Sequence, residues 1–233
     1  MSEPDPGAPS GGPWLRLVLA VSLDGRLAPP GGGAAQLGEA GDRRVLEESL
    51  AWADAALIGA ETLRRHGSTC LIHASDLLAA RARAGRPAQP AALVLSRSGQ
   101  LPPDLPFWRQ PLQRWWLRPS GAWSPSAPPH LRVQAFSSWQ QLRRDLAAEG
   151  LRRLLLLGGA SVAGQLLAAD QVDELQLTLC PLLLGGAHCW LPQSCRPALN
   201  HWQLHELRPL GGDELLLRYR RGPPPAEIPA APR

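Results

Sequence analysis

Gly158-Gly159-Ala160-Ser161 follows an apolar run and precedes a segment of helical period. Backbone N–H groups and the dipole at the start of a helix can hold a pyrophosphate, and glycines let the phosphates approach closely. A glycine pair between a strand and a helix is also a common tight turn. The four residues match neither a Walker loop nor the usual dinucleotide fingerprint, so on this motif alone both interpretations stay open.

Two further groups could contact the same kind of ligand. Ser96-Arg97 follows another apolar run, and Thr62 comes shortly after Gly59. A guanidinium beside a hydroxyl at a strand end can bind the 2′-phosphate that distinguishes NADP from NAD. A solvated turn at Ser96-Arg97 and a capping role for Thr62 are the structural alternatives.

The elements that must position these residues alternate along the chain. Apolar runs of strand length are followed by segments of helical period, a pattern typical of βαβ units and a largely parallel sheet. The strands are predicted over 15–21, 55–58, 91–95, 114–117, 131–135, 154–157, 174–179, 202–207 and 214–219, the last two as a hairpin around Gly211-Gly212. The helices are predicted over 42–53, from Glu61 onward, over 75–84, from an N-cap at Ser137 to 149, and over 161–169.

Length and composition favour one domain. The chain has 233 residues, 44% of them hydrophobic, which is enough for one substantial core. Residues 1–13 and 222–233 are rich in Pro, Gly and Ala and are predicted to be disordered tails around a domain at 14–221. The net charge of +4 suits an anionic ligand. No basic run with interleaved aromatics is present, so a nucleic-acid partner is not expected.

Other classes are disfavoured by what the sequence lacks. No window reaches the length of a membrane span and no secretory leader is visible, so no membrane partner is expected. The four cysteines do not have the spacing of a disulfide framework, which favours reduced thiols and a cytoplasmic location. His188, Cys189, Cys195 and His201 do not have a usual zinc spacing, so no metal is expected.

Several motifs, taken in order, resemble the dihydrofolate-reductase-like superfamily, and in particular the reductase domain of the riboflavin-biosynthesis deaminase/reductase. The resemblance covers about residues 15–220. It rests on Ala20-Val21-Ser22-Leu23-Asp24-Gly25-Arg26, Asp54-Ala55, Gly59-Ala60-Glu61-Thr62, Leu156-Leu157-Gly158-Gly159, Val172-Asp173-Glu174-Leu175 and Pro181-Leu182-Leu183-Leu184-Gly185. It implies a three-layer α/β sandwich with a mostly parallel central sheet and a C-terminal antiparallel hairpin.

The resemblance also implies a function. A reductase of this family uses NADPH to reduce the ribosyl group of 5-amino-6-(5-phosphoribosylamino)uracil, a phosphoribosyl-pyrimidine, to a ribityl chain, without a covalent catalytic residue. Homodimers are common among its relatives. The sequence has no H-x-E followed by P-C-x-x-C, so the deaminase activity is not expected. The cofactor contacts that it implies are Ala20, Thr62, Ser96, Arg97, Gly158, Gly159, Ala160, Ser161, Val162 and Gly164.

The substrate side departs from the family pattern. Where the bacterial enzymes usually have a serine, two arginines and a glutamate, this chain has Ala34, Leu50, His73 and Leu157. A phosphorylated substrate still needs cationic partners, and the candidates are Arg43, Arg44, Arg64, Arg65 and His66. Asp24 is a candidate for a carboxylate near the nicotinamide, with either a structural or a catalytic role. Reduction of another acceptor, such as a pterin, and nucleotide binding without turnover are the alternative functions.

Overall fold

The computed structural model describes residues 12–33, 36–121, 131–197 and 200–223. Within these ranges the strands are β1 (Trp14–Ser22), β2 (Ala55–Gly59), β3 (Ala91–Leu95), β4 (Arg114–Pro119), β5 (Arg132–Phe136), β6 (Arg153–Leu156), β7 (Glu174–Cys180), β8 (Trp202–Gly211) and β9 (Glu214–Arg221). The helices are α1 (Ala40–Trp52), α2 (Ala60–His66), α3 (Ser75–Arg83), α4 (Trp139–Ala148) and α5 (Ala160–Ala168), with a 3₁₀ turn at Pro106–Arg109. None of these helices is long and apolar enough to cross a membrane.

All the strands belong to one sheet, in the order β5-β4-β3-β2-β6-β1-β7-β9-β8. The strands from β5 to β7 pair in parallel, whereas β9 is antiparallel to both β7 and β8. The predicted mostly parallel sheet with a C-terminal hairpin is therefore confirmed.

Alternate residues of the central strands face two different helical layers. Leu15, Leu17 and Leu19 of β1 pack with side chains of α4 and α5. Val18 of β1 and Leu155 of β6 face the other way and pack with α1 and α3. Side chains of a strand point alternately to opposite faces, so a continuous apolar run is required where both faces are covered. The result is the expected three-layer sandwich.

Two local predictions need correction. Ser138, not Ser137, is the N-cap of α4, because the hydroxyl of Ser138 accepts a hydrogen bond from the backbone N–H of Gln141. The turn between β8 and β9 lies at Gly212 and Asp213, one residue later than predicted, because β8 continues to Gly211. Both of these residues have positive φ, as a two-residue hairpin turn requires.

Candidate functional site

The carboxyl ends of the parallel strands border two adjoining clefts. The larger one, of about 850 Å³, is lined by residues 59–62, 95–98 and 159–162, and is called the glycine cleft below. The smaller one, of about 510 Å³, is called the α1 cleft and is lined by Ala20, Ile58, Leu157 and several residues of α1. Thr62 and His66 line both clefts, so one ligand or two touching ligands can occupy them together. This is the edge at which open parallel sheets commonly bind ligands.

The glycine pair shapes the floor of the glycine cleft. Gly158 and Gly159 have φ values of +66° and +83°, which side chains rarely adopt, and Gly159 is the N-cap of α5. No side chain caps the first turn of α5, in contrast to α4, where Ser138 does. The start of α5 therefore lines the cleft without a side-chain cap, as the starts of α1, α2 and α3 also lack one, and its first N–H groups could bind an anion.

Ser96 and Arg97 lie on the opposite wall of the glycine cleft. The loop that holds them rests on Trp116, whose indole N–H donates to the backbone carbonyl of Ser96 at 2.7 Å. The hydroxyl of Ser96 accepts from the N–H of Gly99 at 3.0 Å, and a Cβ at residue 99 would overlap the indole ring. The loop is therefore fixed in place, while the guanidinium of Arg97 is exposed and makes no ion pair with any residue that the structure describes.

Most charges around the glycine cleft are positive. Arg64 and Arg65 both line it, and each pairs with Glu61 at 2.9 and 3.1 Å respectively. The two guanidinium groups, that of Arg65 first, lower the pKa of Glu61. Because Glu61 neutralises part of the charge of these two arginines, Arg97 is the cation of this cleft that has no carboxylate partner in the described ranges.

The α1 cleft brings together Ala20, Leu157, Arg43, His66 and His73. Arg43 is exposed and has no ion-pair partner among the described residues, so its charge is available to a ligand.

Arg44, its neighbour on α1, contacts Asp76 at 2.7 Å and Glu48 at 3.0 Å. Of the two adjacent arginines, Arg43 alone lines the cleft, and Arg44 joins α1 to α3.

Asp24 lines neither cleft. Its carboxylate accepts hydrogen bonds from the hydroxyl of Ser22 at 2.6 Å and from the backbone N–H groups of Leu184 and Gly185 at 3.1 and 2.7 Å. These bonds, that of Ser22 first, hold the pKa of Asp24 well below its usual range. These contacts favour a structural role for Asp24 over a catalytic one. Both of its oxygens accept hydrogen bonds that join the end of β1 to the segment after β7.

Some other predicted site residues lie outside the cleft linings. Gly158 is buried, and a Cβ there would meet Leu19 at 3.3 Å. Gly164 packs against Pro192 and Cys195, so it serves the packing of α5 in this structure. Ala34 lies outside the described residues.

Arg64, one of the predicted substrate contacts, lines the glycine cleft and not the α1 cleft. It therefore lies in the half of the site that is predicted to bind the cofactor.

Two residues of this region were not anticipated from the sequence. Asp42 of α1 lines the α1 cleft, and hydrogen bonding by Thr178 of β7 lowers the pKa of its carboxyl. The two residues are far apart in the sequence, so their proximity cannot be predicted from it. The register of β7 against β1 brings Thr178 close to α1. Among the described residues, no group of three or more His, Cys, Asp and Glu side chains is arranged to hold a metal ion.

Comparison with known protein families identifies the family of this chain. The family described as the RibD C-terminal domain matches residues 13–216. The chain belongs to this family.

Individual members of the RibD C-terminal domain family have diverged far from this chain. The riboflavin biosynthesis protein RibD of Haemophilus influenzae is 26% identical over 228 residues, which are 90% of this chain and 59% of that protein. A 2,5-diamino-6-ribosylamino-4(3H)-pyrimidinone 5′-phosphate reductase of Methanothermobacter thermautotrophicus is 27% identical over 186 residues, 75% of this chain and 80% of that one. The chain thus spans about three fifths of a bacterial RibD and most of the archaeal reductase.

Solved structures agree on the fold. RibD of Acinetobacter baumannii superposes with a TM-score of 0.76 and 19% identity, over 92% of this chain and 59% of that one. A dihydrofolate reductase of Enterococcus faecalis superposes with a TM-score of 0.54 and 15% identity, over 90% and 97% of the two chains. The predicted dihydrofolate-reductase-like fold is confirmed.

The Val172-Asp173-Glu174-Leu175 motif, which contributed to the family resemblance, has a structural explanation here. Asp173 is buried and accepts from the N–H of Leu15 and from the guanidinium groups of Arg143 and Arg221. Glu174 is also buried and pairs with Arg16 at 2.5 Å. The two carboxylates join β1, β7, β9 and α4 at the amino end of the sheet, opposite the clefts.

Proposed function

We propose that this protein is an NADPH-dependent reductase of the riboflavin pathway that converts the ribosyl group of 5-amino-6-(5-phosphoribosylamino)uracil to a ribityl chain. The observation that carries the proposal is the pair of adjoining clefts at the carboxyl edge of the sheet. The glycine cleft has a helix start without a side-chain cap and an arginine that has no ion-pair partner among the described residues, and both suit a phosphorylated dinucleotide. The names of the relatives agree with this reaction class.

The residues present fit the cofactor. The first turn of α5, at 159–162, would hold the pyrophosphate, and Ser96 with Arg97 would hold the 2′-phosphate. Ala20 and Thr62 line the α1 side, where a nicotinamide would meet the substrate. When bound, NADPH supplies the hydride, so the task of the protein is to align donor and acceptor and to exclude water.

The α1 cleft would hold the substrate. Arg43, His66 and His73 are the cationic or polar side chains that line it and could contact a ribose phosphate. His73 stands at one of the positions that the family usually uses for the substrate, whereas Arg43 and His66 would take over from the family residues that are absent at the others. Arg64 would serve the cofactor half, given its place in the glycine cleft.

The proposal is tested by following NADPH oxidation with three acceptors under identical conditions. These are the phosphoribosylamino-uracil, its 2,5-diamino-pyrimidinone counterpart and dihydrofolate. Turnover of a phosphoribosyl-pyrimidine, with a ribityl product identified by mass spectrometry, supports the proposal. Turnover of dihydrofolate alone would establish the pterin alternative. Saturable NADPH binding without reduction of any acceptor would indicate a nucleotide-binding protein that is not an enzyme.

We further propose a cytoplasmic homodimer formed by the domain at 14–221, while residues 1–11 and 224–233 of the predicted tails lie outside the described residues. Support for the dimer comes from β8, an edge strand that leaves Leu204 and Leu207 exposed by 52% and 57%. Exposed apolar side chains on an unpaired edge strand favour association. Light scattering after gel filtration measures the mass directly, and Leu204→Lys is expected to shift a dimer to a monomer.

A further inference from the structure

Asp42 is a carboxylate at the inner end of the α1 cleft, and none of the family motifs includes it. It lies in the first turn of α1 and lines the cleft together with Ala20, Thr62 and Leu157. Thr62 lines both clefts, whereas Ala20 and Leu157 line the α1 cleft only. An acid in this position is next to the place where cofactor and substrate would react.

The register of the sheet links the surroundings of Asp42 to β1. Thr178, which is paired with Ala20 across β1 and β7, acts on the carboxyl of Asp42 and lowers its pKa by hydrogen bonding. Partners in a parallel register point their side chains to the same face. Asp42 therefore lies on the same side of the sheet as Ala20, one of the predicted NADPH contacts, and lines the same cleft.

Gly38 makes room for the carboxylate. A Cβ at residue 38 would overlap the side chain of Asp42. The backbone before α1 thus lies directly against this acid and limits the positions that its carboxylate can take, which favours transfer of a proton to a fixed atom.

The surroundings of Asp42 favour its protonated form. Burial is the larger cause that raises the pKa of its carboxyl, and the charge of Glu214 adds to it, while the bond from Thr178 acts in the opposite direction. Burial and Glu214 also raise the pKa of Cys180 to about 12, so that thiol remains neutral. The titratable and charged groups that line the α1 cleft with Asp42 are Glu39, Arg43, Glu47, His66, Cys70 and His73, and Cys180 and Glu214 also interact with its charge.

We propose that Asp42 is the general acid of the reduction, and this inference rests on the function proposed above. The C1′–O4′ bond of the ribosylamine breaks as the nitrogen lone pair forms the C1′=N bond, and Asp42 gives its proton to O4′, which becomes a hydroxyl. One hydride from NADPH then adds to C1′, and the C=N π electrons return to nitrogen. The carboxylate of Asp42 takes a proton from solvent, so each turnover consumes one hydride and one proton.

The first test compares the wild type with Asp42→Asn, and uses Asp104→Asn, in an exposed loop, as the control. The turnover number kcat of the wild type is expected to fall as pH rises through the pKa of Asp42, because only the protonated acid can donate. Asp42→Asn should lower kcat by about 100-fold or more and remove this alkaline limb. Asp104→Asn should keep the kcat of the wild type and its fall at alkaline pH. NADPH affinity, measured by calorimetry, should be unchanged in both variants.

A second pair of variants distinguishes acid catalysis from a structural role. Thr178→Val removes a bond that stabilises the charged carboxylate, so the alkaline limb should move to higher pH. Glu214→Gln removes a negative neighbour, so the limb should move to lower pH. Carboxyl ¹³C NMR of the free protein should show the resonance that Asp42→Asn abolishes shifting in the same two directions. A structural defect alone would not move the limb in opposite directions.

The outcomes separate this inference from the proposed function. A wild type that reduces neither phosphoribosyl-pyrimidine overturns both. If the wild type reduces a phosphoribosyl-pyrimidine and Asp42→Asn has the same kcat and the same alkaline limb, only the proposed role of Asp42 is overturned. If Asp42→Asn does not fold, opposite shifts in Thr178→Val and Glu214→Gln support the acid, and an unmoved limb in both variants refutes it.

Discussion

Gly159 lies so close to Thr62 that a Cβ at residue 159 would be 2.9 Å from the threonine Oγ1. The two residues belong to the starts of α5 and α2, which follow neighbouring strands β6 and β2. The missing side chain thus does two things: it permits the positive φ of residue 159 and it keeps the floor of the glycine cleft open. The first effect concerns stability and the second concerns ligand binding, so they can be separated experimentally.

Gly159→Ala is expected to weaken NADPH binding about 10-fold or more. Gly150→Ala is the matched control, because Gly150 also has a φ near +80° but has nothing within 4 Å of a Cβ position. Both variants should lose about 1–2 kcal/mol of unfolding free energy from the strained backbone. Calorimetric titration with NADPH should show a loss of affinity in Gly159→Ala only. Equal affinities in the two variants would contradict the assignment of the pyrophosphate to this helix start.

Arg97→Gln is expected to remove the preference for NADPH over NADH. A charge-assisted hydrogen bond contributes about 1.5–3 kcal/mol, so the Kd for NADPH should rise about 10-fold or more while that for NADH stays constant. Arg83→Gln, at another exposed arginine, is the control. A parallel loss of both affinities would show that Arg97 does not contact the 2′-phosphate.

Most of the fold follows from hydrophobic periodicity in the sequence. The run Ala91 to Leu95 is bounded by turn residues and forms β3 with the predicted ends. The central strands are equally clear because both of their faces are buried. The predicted N-cap of α4 and the predicted hairpin turn each differ by one residue from the observed positions. Neighbouring serines and glycines have similar propensities, and only the hydrogen-bond geometry distinguishes them.

The site is only partly predictable, for a physical reason. Gly159 and Ser96 stand next to strand ends, so local patterns identify them. Thr178 and Asp42 are 136 positions apart and come together only through the register of β7 against β1. The difference between Arg43 and Arg44 depends in part on Asp76 of α3, whose contact with Arg44 cannot be read from the sequence of α1.

Arg43→Gln is expected to raise the KM of the phosphorylated substrate about 10-fold, because Arg43 lines the α1 cleft without an ion-pair partner in the described ranges. The adjacent variant Arg44→Gln is the control, since Arg44 is occupied by Asp76 and Glu48. It should lower stability by about 1 kcal/mol or less and leave the KM unchanged. If instead the KM rises only in Arg44→Gln, the substrate phosphate lies elsewhere.

Asp173→Asn is expected to lower the unfolding free energy by about 3 kcal/mol, because it leaves the buried guanidinium of Arg143 without its carboxylate. Asp170→Asn is the matched control, since Asp170 also pairs with Arg221 but is 48% exposed. That variant should lose about 1 kcal/mol or less. Urea unfolding of both proteins measures the difference. Equal losses would show that burial does not decide the strength of these pairs.

Asp24→Asn tests the structural role of Asp24 through pH. The pKa of Asp24 is lowered in the folded protein, so its contribution to stability is fully present above the pKa of the unfolded chain, about 4. It is lost as pH falls below that value, because the unfolded chain then binds a proton more readily than the folded protein. The Tm of Asp24→Asn should therefore lie below that of the wild type at neutral pH, and the gap should narrow as pH falls below about 4. A gap that does not change with pH would mean that the bonds to Ser22, Leu184 and Gly185 do not depend on the charge of Asp24.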